Sequence, residues 1–306
     1  MHRPSYISLE RNGVLARRER ELRDFLRSCA LCPRGCGVDR LKGEIGACRS
    51  TAELKIYSAG PHFGEESPLV GRGGSGTIFF SHCNLLCCFC QNWEINHRGD
   101  GVIHSADQLA NMMLRLQNQG CHNINLVTPT HVVPQIVKAL RLAIEMGLTI
   151  PLVYNTGGYD NIEIIRLLDG IVDIYLPDFK YQDSAMAAKY SADAKDYPKV
   201  AAAVIREMRN QTGDLQTGGP FGIARRGLMI RHLVQPNNIA GTDRFVQWVR
   251  SALSSKTFVN LMKQYHPAFR AFNYPEIARR VTEEEWQQAL SWAKDAGLSR
   301  LDGMRG

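Results

Sequence analysis

Short apolar runs rich in β-branched residues alternate with helix-like segments over most of the chain. Each run is continuous and bounded by turn residues, as strands buried on both faces of a parallel sheet are. The predicted strands cover residues 77–81, 123–128, 149–155, 171–177, 228–234 and 257–262. Because parallel strands need long crossover connections, which are usually helices, this alternation predicts a parallel fold of the α/β class.

The segments between the runs have helical periodicity and recognisable N-terminal signals. Ser105 and Asp160 each precede a predicted helix, and Thr282 with Glu285 forms a capping box before the last helix. The predicted helices cover residues 105–119, 133–145, 160–168, 196–211, 242–254 and 282–296. In a βα barrel the functional residues lie in the loops that follow the strands, and polar residues follow each predicted strand here.

The composition divides the 306-residue chain into three zones. Residues 1–55 hold a basic amphipathic helix and then a cysteine-rich stretch, which together predict a small metal-binding extension. Residues 56–76 are rich in glycine and proline and are interpreted as a connector. Residues 77–306 hold the barrel and a C-terminal helix. We therefore expect one large domain with a small appendage.

The arginine-rich segment 11–27 holds six arginines against three acidic residues and contributes +3 to the formal charge of +7. Because its one aromatic residue, Phe25, falls at the helical spacing of the apolar residues and does not form a platform for bases, we favour a solvated helix face and do not expect nucleic acid as a partner. No apolar run approaches the roughly 20 residues that span a bilayer, and the first residues lack the apolar core of a signal peptide. We expect a cytoplasmic protein without membrane contact, in which disulfides are rare.

Three cysteines lie in the loop after the first predicted strand. Cys83, Cys87 and Cys90 form a C-x3-C-x2-C pattern, which can hold three irons of a four-iron cluster. Electron-transfer clusters use four cysteines, so an open iron indicates that another molecule binds there. Phe89 is placed to shield such a cluster. The additional Cys88 is interpreted as a small buried apolar side chain.

This loop resembles the signature of the radical S-adenosylmethionine (SAM) enzymes, C-x3-C-x-aromatic-C, and the resemblance covers about residues 77–265. It implies a partial (β/α)6 TIM-like barrel of the radical SAM type with a small Cys-rich N-terminal extension. It also implies a 4Fe-4S cluster on the three cysteines and SAM on the open iron. In this family SAM is cleaved reductively to a 5′-deoxyadenosyl radical, which abstracts hydrogen from a substrate. A low-potential electron donor of the flavodoxin or ferredoxin type is the implied partner.

The flanking motifs are similar to those of the pyruvate formate-lyase-activating enzymes, which make glycyl radicals. "CQNWEIN", "YNTGGY" and "DFK" resemble their CHN, TNG and DLK motifs, and "CALCPRGC" resembles an N-terminal segment of a related iron–sulfur branch. The resemblance implies a glycine in a partner protein as substrate. Another peptide or a small molecule stays open as the substrate. A non-catalytic iron–sulfur electron carrier and an RNA-modifying radical SAM enzyme stay open as alternatives.

The same resemblance implies that polar residues after the later strands line the pocket for SAM and substrate. Asn155 and Thr156 would lie near the ribose or methionine of SAM, and Asp178 and Lys180 near its polar groups or the substrate. The far side of the pocket would be lined by Arg231 and His232.

One motif of the family is missing. Many members hold the SAM amino group with a GGE motif at the end of the second strand, where this chain has "VTPTHVVP". Thr128, Thr130 and His131 are the remaining polar groups at this position, and His131 is equally consistent with a substrate-binding group or a satisfied loop residue.

A second cysteine set precedes the barrel. Cys29, Cys32, Cys36 and Cys48 run C-x2-C-x3-C-x11-C, and four thiolates saturate either a zinc ion or an ordinary iron–sulfur cluster. The intervening residues have almost no apolar core, so a metal would supply the folding energy that they lack. Zinc and an auxiliary cluster are equally compatible with this spacing, and four free thiols are the weaker alternative.

Overall fold

The computed structural model describes residues 3–219 and 221–302. In this part of the chain ten strands form one sheet in the order β10-β9-β8-β6-β5-β4-β2-β1-β3, with β7 paired to β8. The strands are β1 (Leu54–His62), β2 (Ser75–Phe80), β3 (Val102–His104), β4 (Ile124–Val127), β5 (Leu152–Thr156), β6 (Ile174–Pro177), β7 (Gln216–Gly218), β8 (Ile223–Leu233), β9 (Phe258–Met262) and β10 (Leu301–Asp302). The sheet is open, since β3 and β10 end it.

The central strands are parallel and the additions are mostly antiparallel. Parallel pairing joins β2, β4, β5, β6, β8, β9 and β10 in turn. In contrast, β1 is antiparallel to both β2 and β3, and β7 is antiparallel to β8. Each of the six predicted strands overlaps one of the parallel strands, so the predicted α/β fold with a partial barrel is confirmed.

The described helices alternate with the parallel strands. They are α1 (Tyr6–Arg11), α2 (Val14–Asp24), α3 (Ser67–Val70), α4 (Ala106–Asn118), α5 (Val133–Glu145), α6 (Ile162–Leu167), α7 (Ser184–Tyr190), α8 (Tyr197–Thr212), α9 (Thr242–Ala252) and α10 (Glu283–Asp295). Short 3₁₀ turns cover Arg40–Lys42, Thr130–Val132, Pro236–Asn238, Phe269–Asn273 and Pro275–Ile277, and a π-helical turn covers Glu94–Arg98. No helix in the described residues is long and apolar enough to cross a membrane.

Burial explains why the sequence pattern predicts these elements. Every residue of β5 and β6 is buried, so these strands are apolar runs except for Asn155 and Thr156 at the end of β5. Helix α5 buries Val133, Ile136, Val137 and Leu140, which recur at helical spacing on one face. Burying each side chain of this size stabilises the fold by about 1.5–3 kcal/mol.

The predicted cap at Ser105 and the predicted capping box at Thr282 are both present, and Ser105 forms a capping box as well, with Gln108. The predicted start of α6 is one residue early, because Asn161 is the N-cap and accepts a hydrogen bond from the backbone N–H of Glu163. The carboxylate of Asp160 is instead buried among side chains beneath the sheet edge.

The segment 56–76, interpreted as a connector, also differs from expectation. Its first part belongs to β1, whose residues from Tyr57 onward are half-buried or exposed and include Gly60 and Pro61. Partial exposure and turn-forming residues hide an antiparallel strand of this kind from a pattern based on burial. The division of the chain into domains stays a prediction.

The N-terminal extension packs against the barrel. Helix α2 lies against α5, where Arg141 forms ion pairs with Glu10 at 3.0 Å and Glu19 at 2.6 Å. Arg40 is fully buried and donates to the carbonyl oxygens of Thr51 and His131. The extension therefore contributes buried polar contacts to the folded domain.

Candidate active site

A cavity of about 270 Å³, called the main cavity, lies at the carboxyl ends of the parallel strands. Parallel strands bring the loops that follow them to one edge, so residues far apart in sequence meet there. Ten predicted site residues line the main cavity: Cys83, Cys87, Phe89, Cys90, Thr128, Asn155, Thr156, Asp178, Lys180 and Arg231.

One wall of the main cavity is formed by the three cysteines of the 83–90 loop. Each sulfur accepts a hydrogen bond: Cys83 from the backbone N–H of Leu85 at 3.4 Å, Cys87 from Ser191 Oγ at 3.1 Å, and Cys90 from Asn96 Nδ2 at 3.2 Å. Such donors stabilise a thiolate more than a thiol.

Burial, together with the neighbouring Cys87 thiol, raises the pKa of Cys83 to about 12 and that of Cys90 to about 11. A bound cation would offset this cost, because it favours the thiolate form. No three His, Cys, Asp or Glu side chains in the described residues are arranged around a single metal ion. A four-iron cluster does not require that arrangement, since its three cysteines bind three different irons. The donor set therefore fits such a cluster.

The opposite wall carries a network of buried charges. Asp178 accepts from Lys180 Nζ at 2.6 Å and from Arg231 Nε at 2.8 Å, and Arg231 Nη2 donates to Asn155 Oδ1 at 2.6 Å. Burial alone would raise the pKa of Asp178, but Arg231 and Lys180 hold it below its usual value. The pKa of Lys180 is raised by Asp178 against the opposing effect of burial. The three groups are therefore ionised and fixed in position.

The ends of β4 and β5 supply neutral polar groups. Thr128 lines the main cavity with a φ of +59°, a conformation that is rare outside glycine, and its N–H donates to the carbonyl of Asn155 at 2.9 Å. Thr156 also lines the cavity, while its hydroxyl donates to buried Asp160 at 2.7 Å. Strained backbone next to polar groups is typical of binding sites.

Thr130 does not line the main cavity. Its hydroxyl donates to Asp160 Oδ1 at 2.7 Å, and Tyr154 donates to the same oxygen at 2.9 Å. The carboxylate of Asp160 therefore accepts hydrogen bonds from the hydroxyls of Thr130, Tyr154 and Thr156 beneath the strand ends. This arrangement fixes the orientation of Thr156 and leaves Thr130 in a supporting position.

His232 does not line the main cavity either. Successive side chains of a strand point to opposite faces, so Arg231 and His232 cannot share one. His232 Nδ1 lies 2.6 Å from the carbonyl of Phe179, Nε2 lies 3.0 Å from Thr242 Oγ1, and the ring stacks on Phe245. Burial lowers its pKa to about 4.

His131 is also turned away from the main cavity, and its Nε2 donates to the carbonyl of Ser81 at 2.7 Å. Phe89 is 5% exposed and packs edge-on against Tyr181 and Tyr265, so it closes one side of the main cavity. His266 lies nearby, with Nδ1 3.2 Å from Gln91 Nε2.

Several residues of the site have no sequence signal of their own. Ser191, which donates to Cys87, lies about one hundred positions away and follows a helix that the sequence pattern misses. Asn96 lies within the "CQNWEIN" segment, which only the resemblance singled out. The remaining polar lining residues are Gln91, Asn92 and Gln264, which are exposed at the mouth of the cavity.

The second cysteine set lies in the 29–48 loop, outside the main cavity. Cys29, Cys32 and Cys48 are buried, and burial together with the two neighbouring thiols raises the pKa of Cys32 to about 12. Cys36 Sγ accepts from the backbone N–H of Ala47 at 3.3 Å. A Cβ at Gly46 would lie 2.6 Å from that sulfur, so this turn requires glycine.

Comparisons with known proteins support this description of the fold. Residues 77–214 match the radical SAM superfamily. The chain is 30% identical over 289 residues to an uncharacterised protein of Methanocaldococcus jannaschii, and the match covers 91% of this chain and 78% of the relative.

Two solved structures share the fold. A radical SAM methyltransferase from Sphaerobacter thermophilus superposes with a TM-score of 0.51 at 16% identity, over 75% of this chain and 67% of that one. Native anSMEcpe with bound AdoMet and Cp18Cys peptide superposes with a TM-score of 0.51 at 11% identity, over 72% of this chain and 60% of that one. The two solved structures show the fold. By the family match, and with a relative that matches along most of its length, the chain belongs to the radical SAM superfamily, whose members are enzymes that use SAM.

Proposed function

We propose that this protein cleaves SAM reductively in the main cavity and uses the resulting 5′-deoxyadenosyl radical to remove a hydrogen from a glycine Cα of a partner protein. The observation that carries the proposal is the pairing of three cysteine thiols with a fixed network of charges across one cavity. A superfamily enzyme needs these two groups to face each other, since one would hold the cluster and the other the polar ends of SAM.

Each group has a distinct task in this proposal. Cys83, Cys87 and Cys90 would hold a four-iron cluster, which supplies the single electron that breaks the sulfonium bond of SAM. Phe89 excludes water from that side of the cavity. The hydrogen bonds from Ser191 to Cys87 and from Asn96 to Cys90 orient the thiolates.

The opposite wall binds the polar parts of SAM or substrate. Lys180 and Arg231 carry positive charges that suit a carboxylate, and Asp178 holds both in place. Asn155 and Thr156 lie within the same wall and would contact the ribose or methionine. Thr128 would accept from the SAM amino group in place of the missing carboxylate.

The mouth of the main cavity suits a large substrate. Gln91, Asn92 and Gln264 are exposed there and offer amide groups that pair with a peptide backbone. The similarity of the flanking motifs to glycyl-radical activases favours a protein loop over a small molecule. The electron would come from a flavodoxin- or ferredoxin-type donor.

A non-catalytic electron carrier is less consistent with the main cavity. Such a protein would need a fourth cysteine or histidine ligand for its cluster. Among the described residues that line the cavity, the only cysteines are the three of the 83–90 loop, and there is no histidine.

The decisive experiment is anaerobic. Protein reconstituted with iron and sulfide is mixed with SAM and a low-potential reductant, and 5′-deoxyadenosine is measured by mass. We expect product from the wild type and a loss of at least about 1,000-fold in the triple variant Cys83→Ala, Cys87→Ala and Cys90→Ala. Cys121→Ala, a buried cysteine elsewhere, is the matched control and keeps activity. Product from the triple variant would overturn the proposal.

The substrate has a separate test. Protein extract from cells grown on α-deuterated glycine is added to the active enzyme, and deuterium in 5′-deoxyadenosine is measured. Deuterium enrichment that is lost after proteolysis of the extract supports a glycine in a protein. Unlabelled product formed only with a protein-free fraction or with RNA would reject the glycine and leave SAM cleavage intact.

We also propose that Cys29, Cys32, Cys36 and Cys48 bind a second metal, either zinc or an iron–sulfur cluster. The support is the burial of three of these thiols in one short loop, with Cys29 and Cys48 near enough to Cys32 to raise its pKa. A metal would displace the protons of these thiols, and the four side chains would draw together around it, because no three ligands in the described residues are already arranged around one ion. Metal analysis of the triple variant distinguishes zinc from iron at this set.

A further inference from the structure

A second cavity of about 150 Å³ lies between the N-terminal extension and the segment that enters the 83–90 loop. The extension contributes Arg49, Ser50 and Lys55 to its lining, and the opposite side is formed by Ser81, His82 and His131. None of these six residues lines the main cavity. The second cavity is therefore a separate place in the fold.

The second cavity has an excess of positive charge. Arg49 and Lys55 border it, and neither lies within ion-pair distance of a carboxylate in the described residues, although Asp100 interacts with Lys55 at longer range. Buried Arg40 lies beside it, with its guanidinium bonded to backbone carbonyls and to no carboxylate. The only carboxylate among the described lining residues is Glu53, which is exposed.

The ring of His131 lies in the same positively charged surroundings. Burial and Arg40 lower the pKa of His131 to about 3, so its ring is neutral. A bound anion is the simplest partner for such a cavity, because no described carboxylate lies within ion-pair distance of Arg49 or Lys55.

Two deeply buried polar groups in the lining have no partner in the described part of the chain. Ser50 is 4% exposed and its Oγ is unpaired, and His131 is 2% exposed and its Nδ1 is unpaired. A buried polar atom without a partner costs about 1–3 kcal/mol. Because His131 Nε2 donates to Ser81, the neutral ring leaves Nδ1 as a hydrogen-bond acceptor. The ligand must therefore combine negative oxygens with a proton of its own.

We propose that the second cavity binds a phosphate group that carries one proton. Its P–OH donates to His131 Nδ1, and its charged oxygens accept from Lys55, Arg49 and the hydroxyl of Ser50. Sulfate has the same shape and charge but no proton near neutral pH, so it cannot satisfy His131. Free phosphate keeps this proton as HPO₄²⁻ above about pH 7, whereas a phosphate monoester, with a second pKa of about 6, has lost it and resembles sulfate. The proposed ligand is therefore free phosphate.

The inference does not depend on the substrate proposed above. His82 directly precedes Cys83, and Arg49 donates to the carbonyl of His97 just beyond the 83–90 loop. A phosphate held here would therefore join the extension to both ends of that loop.

The test is calorimetry on the reconstituted protein at constant ionic strength, with inorganic phosphate, sulfate and glycerol 3-phosphate as probes. We expect one phosphate site per chain and binding of sulfate at least about tenfold weaker. At pH 8 glycerol 3-phosphate should bind about as weakly as sulfate, because its dianion has no proton for His131 Nδ1. Binding of this monoester as tight as that of phosphate would contradict the proposed role of the proton. No saturable phosphate binding, or equal affinity for sulfate, would overturn the proposal.

Variants locate the binding. Lys55→Ala and Ser50→Ala should each weaken phosphate binding, the first by at least about tenfold and the second by several-fold. Lys256→Ala, an exposed lysine on the far side of the chain, is the matched control and should leave binding unchanged. Circular dichroism checks that the variants fold. Phosphate affinity that is unaltered by both folded variants would contradict this location.

Discussion

The protein has two cysteine loops that use the same side chain in different surroundings. The 83–90 loop lines an open cavity, and two of its sulfurs accept hydrogen bonds from side chains on other parts of the chain. The 29–48 loop lies outside that cavity. Its Cys36 accepts from the backbone N–H of Ala47, and the pKa of its Cys32 is raised by burial in spite of hydrogen bonds from the Arg34 backbone and the Asn84 side chain. The first arrangement presents thiols to a ligand, whereas the second holds them within a turn-rich segment.

This difference shows that what a cysteine loop can bind depends more on the surroundings of its thiols than on their number. Three thiols next to a cavity leave a coordination position for another molecule, while four thiols can saturate a metal and serve structure alone. The two loops are nevertheless joined, because Arg34 of the 29–48 loop donates to the carbonyl of Asn84 in the 83–90 loop at 3.0 Å.

The largest expected effect is the loss of metal from the 29–48 loop without the loss of activity at the 83–90 loop. The double variant Cys32→Ala and Cys48→Ala should lose the metal of the 29–48 loop, which for a structural site represents on the order of 10 kcal/mol of binding free energy. Because these thiols do not line the main cavity, the folded fraction should keep 5′-deoxyadenosine production within about tenfold of wild type. Elemental analysis beside the product assay measures both. Unchanged metal content would show that this loop binds none.

The next largest effect is expected at Asp173, a carboxylate outside both cysteine loops, which should make the free energy of unfolding depend on pH. Asp173 is buried, accepts from the N–H of Leu152 at 3.0 Å, and has its other oxygen unpaired in the described structure. Burial raises its pKa from 3.8 to about 7. The folded state therefore retains a proton that the unfolded state loses, and the free energy of unfolding should fall as pH rises from about 4 to about 7.

The free energy of unfolding should fall by at most about 4 kcal/mol, because each unit of the pKa shift of Asp173 corresponds to about 1.36 kcal/mol. Asp173→Asn keeps an acceptor for Leu152 and should remove the pH dependence, so the variant is the more stable protein at pH 8. Urea unfolding at pH 5 and pH 8 measures the change, with exposed Asp295→Asn as control. If wild type and Asp173→Asn show the same pH dependence, the carboxylate is ionised when folded.

The sequence predicts most of the sheet and much of the main cavity for physical reasons. Buried parallel strands such as β5 and β6 are apolar runs over most of their length, and residues placed directly after them meet at one edge. Asp178 and Lys180 were predictable in this way. The strand β1 was not, because it is partly exposed and contains Gly60 and Pro61.

Side-chain direction and long-range contacts explain the other differences. Arg231 and His232 are adjacent, and only the observed register shows which of them faces the main cavity. Thr130 belongs to the predicted motif, but its hydroxyl donates to Asp160 and does not line the main cavity. Ser191 reaches Cys87 only because the chain returns there after α7, which has a weak sequence signal.

A smaller effect tests the connection between the loops. The guanidinium of Arg34 donates hydrogen bonds to three backbone carbonyl oxygens. They belong to Asn84, to Ser191 at 3.0 Å and to Ala192 at 2.6 Å. Arg34→Ala leaves these acceptors unpaired and should lower the free energy of unfolding by about 2–3 kcal/mol. Since Asn84 lies next to Cys83, the variant should also lose its visible cluster absorbance several-fold faster in air.

Lysine cannot reproduce the planar fork of arginine, so Arg34→Lys should fall between Arg34→Ala and wild type. Arg27→Ala, an exposed arginine of the same extension, is the matched control. A cluster lifetime that Arg34→Ala leaves at the wild-type value would show that the two loops are independent.

The smallest expected effect divides the 83–90 loop itself. Cys88 is buried, its N–H donates to the carbonyl of Tyr190 at 2.8 Å, and it does not line the main cavity. Cys88→Ala removes one sulfur from a packed position and should cost about 1 kcal/mol of stability. Activity should stay within about twofold, because the backbone bonds that shape the loop do not need the thiol.

The adjacent Cys87→Ala is the matched comparison, since it also removes one sulfur but should abolish 5′-deoxyadenosine formation. Measuring both variants at equal iron content separates loss of a ligand from loss of packing. A tenfold or greater fall in product for Cys88→Ala would mean that the fourth thiol of the loop takes part in holding the cluster. The distinction between a loop that presents three thiols and a loop that encloses four would then no longer hold.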